Sequence, residues 1–168
     1  EGRALSVGKR TAVMGILNLT SDSFYEKSRI SPGDDILSRA RSMVEAGAAV
    51  LDLGAESTRP GSEPVPEQEE MERLIPAVAA VRKAFPETVL SADTWKAKVA
   101  LEAVRAGADI INDISGLGFD PDLPGAVAES GAALVLSHIQ GTPRDMQKDP
   151  RYDDTVADIL RSFEERLS

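Results

Sequence analysis

The segment RAGADII, residues 105–111, ends one predicted helix and begins one predicted strand. Its glycine can adopt the left-handed conformation that terminates a helix, and the aliphatic run after it is typical of a buried strand. The same punctuation occurs at 45–48 and at 129–132, where Ala or Ser, then Gly, then Ala precede another apolar run. A unit of helix, glycine and strand therefore repeats along the chain, and this repeat predicts parallel strands.

On both sides of this unit, the hydrophobic pattern predicts strands and helices in alternation. Strands that are apolar on both faces need helices on one side and either more helices or a closed barrel interior on the other. A doubly wound sheet and a (β/α)8 barrel both meet that requirement. The predicted strands are 12–17, 50–53, 88–90, 110–114 and 133–136, and the predicted helices are 32–46, 66–84, 96–106, 121–130 and 155–167.

Polar residues follow every predicted strand, and their distribution favours the barrel. A barrel gathers all its strand ends into one ring where sites are built, whereas an open sheet has one crevice where the strand order reverses. We therefore predict an α/β (β/α)8 TIM barrel, as a single domain over residues 1–168. A complete barrel takes about 250 residues, so only about five of the eight units are expected here. The polar residues are Asn18, Asp22, 56–59, Asp93, Asn112, Asp113, His138 and Gln140.

Composition excludes several classes of function. The chain has no cysteine and one histidine, so thiolate metal sites, disulfides and histidine-rich zinc sites are excluded. A net charge of −9 without a basic stripe argues against nucleic acid. No apolar run approaches the roughly 20 residues that cross a bilayer, and the first ten residues lack a signal-peptide core, which predicts a cytosolic protein without membrane contact. Acidic segments such as 67–70 are interpreted as solvated helix starts.

The first strand runs into the loop MGILNLTSDSF, residues 14–24, which is rich in oxygen acceptors. The amide oxygen of Asn18 suits Mg²⁺, a hard cation that prefers oxygen ligands. The alternative is that Asn18 and Asp22 only make local turn hydrogen bonds.

The second strand ends in GAESTRPG, residues 54–61. Arg59 offers the planar donor fork that matches a phosphate oxygen pair, and Thr58 adds a hydroxyl donor. These residues indicate a diphosphate site, although a proline-rich loop with a surface arginine is also common.

The third and fourth strands deliver Asp93 and Asn112 to one ring. A carboxylate accepts two N–H groups while a carboxamide both donates and accepts, so the pair can match the edge of a flat heterocycle. A purely structural buried network is the alternative. For His138, a packed or hydrogen-bonded role is the ordinary interpretation.

Taken together, these motifs resemble those of dihydropteroate synthases. The resemblance runs from the first strand to Met146, through 15–24, 56–61, 91–94, 111–114 and 138–143. It implies a TIM barrel that condenses 6-hydroxymethyl-7,8-dihydropterin diphosphate with p-aminobenzoate, giving 7,8-dihydropteroate and diphosphate with Mg²⁺ present. It also implies a homodimer.

The resemblance further implies a role for each matching residue. Asn18 is expected near Mg²⁺ and the diphosphate, and Thr58 with Arg59 in the loop that meets the diphosphate. Asp93 and Asn112 are expected to bind the pterin edge. The catalytic set is then Asp22, Arg59 and Asp93; the substrate-binding set is Asn18, Phe24, Asp52, Thr58, Arg59, Pro60, Asp93 and Asn112; and the metal ligand is Asn18.

Departures from the family pattern occur in the first loop and among the later motifs. Ser21 replaces a common proline, and residues 25–28 replace a glycine-rich stretch. The family's later motifs, which supply a second pterin carboxylate, a lysine and a diphosphate-binding arginine, are absent from these 168 residues. Two alternatives stay open: a methyltransferase that uses methyltetrahydrofolate in the same kind of barrel, and a non-catalytic pterin-binding fragment.

Overall fold

The computed structural model describes residues 3–5, 7–19, 32–56 and 64–168, which fold into alternating strands and helices. Element bounds agree with the sequence predictions to within about three residues, as expected for element ends. The strands are β1 (Met14–Asn18), β2 (Val50–Gly54), β3 (Val89–Asp93), β4 (Ile110–Asp113) and β5 (Ala133–Leu136). The helices are α1 (Pro32–Glu45), α2 (Glu67–Ala84), α3 (Ala97–Ala106), α4 (Leu123–Ser130) and α5 (Thr155–Leu167).

The predicted glycine punctuation ends three of these helices. Gly107 has φ of 117° and Gly131 has φ of 68°, and both are the residue after the helix. Gly47, which follows α1, has φ of 98°. Because a residue with a Cβ is strained in this left-handed region, these positions favour glycine and turn the chain into the next strand.

All the strand pairs are parallel, and the sheet order is β1-β2-β3-β4-β5. This sequential order is that of consecutive strands of a (β/α)8 barrel, whereas a doubly wound sheet would reverse direction at an inner strand. The predicted α/β barrel class is therefore confirmed. Five of the eight strands are present among the described residues.

The two faces of the sheet have different surroundings. The face that carries Leu51, Leu90 and Ile111 packs against the helices and forms the main buried cluster. The opposite face carries a smaller cluster of Val50, Val89 and Ile110, with no helical residue in it. This inner face corresponds to the barrel interior. Its exposed large hydrophobic residues on the outer strands are Ile16, 57% exposed, and Val135, 39% exposed.

Arg82, near the end of α2, braces the edge of the sheet where the strands begin. Its guanidinium donates to the carbonyl oxygens of Thr88 at 2.7 Å and Gly107 at 2.8 Å. It also forms an ion pair with Asp109 at 2.6 Å. These contacts tie α2 to the residues that open β3 and β4, on the side away from the predicted site.

Among the described residues, no helix is long and apolar enough to cross a membrane.

Candidate functional site

The carboxyl ends of the first four strands bring predicted site residues into one row. Asn18 pairs in register with Gly54, Gly54 with Asp93, and Asp93 with Asn112. Residues in register on parallel strands share a face. This row lies on the inner face because it alternates with helix-facing residues of the main buried cluster. The prediction that Asp93 and Asn112 are neighbours at one ring of strand ends is confirmed.

Asp52 lies on the same face, two residues earlier on β2, and contacts this row directly. Its Oδ2 accepts a hydrogen bond from the amide of Asn112 at 3.2 Å. Burial raises the pKa of the Asp52 carboxyl, and the nearby Ser91 and the Asn112 amide offset part of that effect. The hydrogen bond fixes the amide orientation of Asn112, so that its oxygen is directed away from Asp52. Asp52 therefore acts on the row through Asn112.

The Asp93 carboxylate extends across β2, over Gly54. A Cβ at position 54 would lie 3.1 Å from Asp93 Oδ2 and 3.2 Å from Asp93 Cβ. Burial, followed by the neighbouring Asp52 carboxylate, raises the pKa of Asp93 to about 7. Asp93 thus exchanges its proton near neutral pH, which is a common property of functional carboxylates.

If the row binds the pterin that the sequence resemblance implies, Gly54→Ala should weaken that binding about threefold to tenfold, because the new methyl group displaces Asp93 by a few tenths of an ångström. The measurement is a calorimetric titration with a pterin. Gly125→Ala, where an added Cβ would meet nothing within 4 Å, is the matched control. Unchanged pterin affinity in Gly54→Ala would show that the carboxylate position is not critical.

The raised pKa of Asp93 also predicts how fold stability depends on pH. The native state holds this proton up to about pH 7, whereas the ordinary carboxyl pKa is 3.8, so stability is lost as pH rises through the native value. The unfolding free energy of Asp93→Asn minus that of wild type should therefore increase by about 1 to 3 kcal/mol from about pH 5 to about pH 8. Urea unfolding at the two pH values measures this difference. A pH-independent difference would contradict the shifted pKa.

Two other polar residues at strand ends serve the local fold. Asp113 faces the helices and accepts hydrogen bonds from the backbone N–H groups of Ser115 at 2.7 Å and Leu117 at 2.6 Å. His138 Nε2 lies 3.1 Å from the Tyr152 hydroxyl, in agreement with its interpretation as a hydrogen-bonded residue. Neither residue belongs to the row of Asn18, Gly54, Asp93 and Asn112.

A buried ion-pair triad, formed by Lys96, Glu56 and Glu70, lies beside the row, and the sequence analysis missed it. Lys96 Nζ contacts a carboxylate oxygen of Glu56 and one of Glu70. Burial alone would lower the pKa of Lys96, but hydrogen bonds to the two glutamates outweigh it and raise the pKa. The interpretation of 67–70 as a solvated helix start is wrong for Glu70, which is fully buried, because this residue faces the Lys96 cation inside the fold.

The predicted Mg²⁺ site has a single protein ligand, Asn18. Asn18 is exposed at the end of β1. No group of three or more His, Cys, Asp or Glu residues able to hold a metal occurs in the described part of the chain. Five predicted site residues fall outside the described residues: Asp22, Phe24, Thr58, Arg59 and Pro60.

The chain matches a known family of proteins. Residues 14–168 match the family of pterin binding enzymes. The match covers most of the chain, and the chain belongs to that family.

Individual relatives agree with this assignment. The chain is 44% identical over 156 residues to the dihydropteroate synthase of Escherichia coli strain K12, covering 93% of this chain and 55% of that protein. A crystal structure of the Yersinia pestis dihydropteroate synthase with a sulfonamide drug complex aligns with a TM-score of 0.86 and 43% identity, over 99% of this chain and 60% of that one. The Xanthomonas albilineans enzyme in complex with 7,8-dihydropteroate aligns with a TM-score of 0.77 and 34% identity, over 95% and 54%.

The chain thus spans about half the length of the relatives it matches. The three relatives named above are dihydropteroate synthases, which does not favour the methyltransferase alternative.

Proposed function

We propose that this chain is part of a dihydropteroate synthase, which condenses 6-hydroxymethyl-7,8-dihydropterin diphosphate with p-aminobenzoate. The observation that carries the proposal is the in-register pair of Asp93 and Asn112, with Asn112 oriented by Asp52. Membership of the pterin binding enzyme family supports it. So does the 34% identical relative that binds 7,8-dihydropteroate, a product containing both the pterin and the aminobenzoate groups.

The pterin is bound at its polar edge by the inner face of the sheet. Asp93 accepts N–H groups in its ionised form, and the Asn112 amide supplies a mixed donor and acceptor. Because the Asn112 amide is already held by Asp52 at 3.2 Å, it is oriented before the ligand arrives. This preorganisation reduces the ordering cost of binding.

The reaction breaks the bond between the pterin methylene carbon and the diphosphate oxygen, and the electron pair leaves with the diphosphate. The p-aminobenzoate nitrogen then forms the new C–N bond and loses a proton. Positive charge builds up on the pterin as the C–O bond breaks, and the carboxylates of Asp93 and Asp52 stabilise it. The positive charge on the pterin also favours the ionised form of Asp93. The pKa of about 7 keeps that form accessible at neutral pH.

Mg²⁺ would be held by the Asn18 amide oxygen and would stabilise the charge on the leaving diphosphate. One protein ligand fits this ion, since Mg²⁺ at phosphate sites takes most of its ligands from phosphate oxygens and water. Thr58 and Arg59 are proposed to donate to the same diphosphate. Asp22, Phe24 and Pro60 are proposed to line the p-aminobenzoate side.

A coupled assay for diphosphate release tests the proposal, using the full-length gene product with pterin diphosphate, p-aminobenzoate and Mg²⁺. Turnover that requires all three components is expected. Turnover of methyltetrahydrofolate instead, or binding of pterin without any diphosphate release, would replace this proposal with one of the two alternatives.

A further inference from the structure

The triad of Lys96, Glu56 and Glu70 joins three parts of the chain that are distant in sequence. Lys96 lies 40 residues from Glu56 and 26 residues from Glu70. The side chains are 8%, 11% and 1% exposed, respectively, so the three charges are almost wholly removed from water. Such an arrangement is costly to bury, and apolar residues of similar size often stabilise a fold equally well. Stability alone therefore does not account for it.

Neighbouring groups restrict the triad to one geometry. Trp95 Nε1 donates to Glu56 Oε1 at 3.4 Å, so the carboxylate of Glu56 is held from two sides. The Lys96 cation lies 4.4 Å from the centre of the Trp95 ring, which adds a cation–π contact. Glu56 is thereby fixed to the segment that directly follows Asp93.

The location of the triad connects it with the proposed diphosphate ligands. Glu56 lies two residues after Gly54, at the end of β2, and Glu70 lies in the first turn of α2. The connection between them contains Thr58 and Arg59 in the sequence. Lys96 follows Asp93 by three residues. One cation thus joins the pterin-binding end of β3 to both ends of the β2–α2 connection.

We propose that Lys96 is a positioning residue, which holds the two ends of the β2–α2 connection in a fixed place relative to Asp93 through Glu56 and Glu70. The proposal rests on the proposed function, in which this connection meets the diphosphate of the substrate. Its consequence is selective. Loss of Lys96 releases the ends of the connection, whereas Asp93 and Asn112 remain held by strand pairing.

The test compares Lys96→Met with Lys98→Met in the full-length gene product. Lys98, two residues further on in α3, pairs at 3.2 Å with Glu67 of α2, the helix that carries Glu70, but this pair lies on the surface with 63% and 43% exposure. Calorimetry at about pH 9 measures affinity for 6-hydroxymethyl-7,8-dihydropterin diphosphate with Mg²⁺, and for the same pterin without diphosphate. Asp93 is ionised at this pH, so the effect of Glu56 and Glu70 on its pKa does not enter the comparison. In Lys96→Met, affinity for the diphosphate ligand should fall at least about tenfold, and affinity for the diphosphate-free pterin less than about twofold.

Two further variants guard against loss of folding and identify the cause. Glu56→Met breaks one arm while leaving Lys96 paired with Glu70, so no buried charge is left unpaired. It should show the same selective loss. Lys96→Arg retains the cation and should recover most of the affinity, and Lys98→Met should resemble wild type.

Hydrogen–deuterium exchange supplies a readout that needs no ligand. The peptides covering 51–56 and 64–72 should exchange at least about fivefold faster in Lys96→Met and Glu56→Met than in Lys98→Met. If wild type fails to bind pterin diphosphate, the proposed function is wrong, and the exchange comparison still decides whether Lys96 holds the connection. Equal exchange in all variants, or equal affinity losses for both ligands, would overturn the proposal.

Discussion

Replacing Asp93 by Asn is expected to lower the affinity for a pterin by at least about tenfold, through the loss of roughly 1.4 to 3 kcal/mol of binding free energy. The substitution keeps the size of the side chain but turns one acceptor oxygen into a donor. A pterin N–H group then faces another N–H group on the inner face, beside Asn112. The effect is large because Asp93 is half-buried and desolvated by the neighbouring strands, so that water cannot easily replace the lost partner once the pterin is bound.

Calorimetric titration with a pterin, and separately with diphosphate plus Mg²⁺, measures this effect. Only pterin affinity should fall, since the diphosphate ligands are proposed to come from other segments. Asp113→Asn is the matched control, because Asp113 follows Asn112 directly but faces the helices. That control should lose fold stability and keep its pterin affinity. Unchanged pterin affinity in Asp93→Asn, or equal losses for both ligands, would remove Asp93 from pterin recognition.

The row of strand ends could be predicted from the sequence because it depends on short-range patterns. Glycine after each helix and an apolar run after each glycine define the βα repeat, and the repeat defines parallel strands. Side chains alternate with a period of two along a strand, so a polar residue at each strand end identifies the ring. Asp93 and Asn112 therefore emerged as neighbours without knowledge of any long-range contact, and their register pairing agrees.

The triad could not be predicted because it depends on which face of a helix meets which strand end. Glu67, Glu69 and Glu70 all lie in the first turn of α2, where acidic residues also interact favourably with the helix dipole. Only Glu70 is buried, and its partner Lys96 is 26 residues away. The sequence contains no local signal that separates Glu70 from its two neighbours. One indirect signal is that Lys96 follows the site carboxylate Asp93 by three residues. The pattern of polar residues at strand ends does not include that position.

The same distinction between local pattern and long-range contact applies to Arg82, for which we expect a large effect on stability. In the sequence this residue is one of two basic residues in the last turn of α2, a position that favours cations in any helix. In the structure it is 14% exposed and donates to the carbonyl oxygens of Phe85, Pro86, Thr88 and Gly107 as well as to Asp109. Arg82 thus supplies hydrogen bonds to the backbone carbonyl groups near the points where β3 and β4 begin.

Arg82→Met should lower the free energy of unfolding by about 3 to 5 kcal/mol, because it leaves the Asp109 carboxylate and several carbonyl groups without their charged donor. Arg3 also pairs with Asp109, at 2.9 Å, and retains part of that contact. Arg105→Met is the matched control: Arg105 pairs with Glu102 on the surface with 66% and 40% exposure, so about 0.5 kcal/mol or less should be lost. Urea unfolding of the full-length gene product measures both. A loss below about 1 kcal/mol in Arg82→Met would mean that water replaces the guanidinium at this edge, and that the strand starts are held by packing alone.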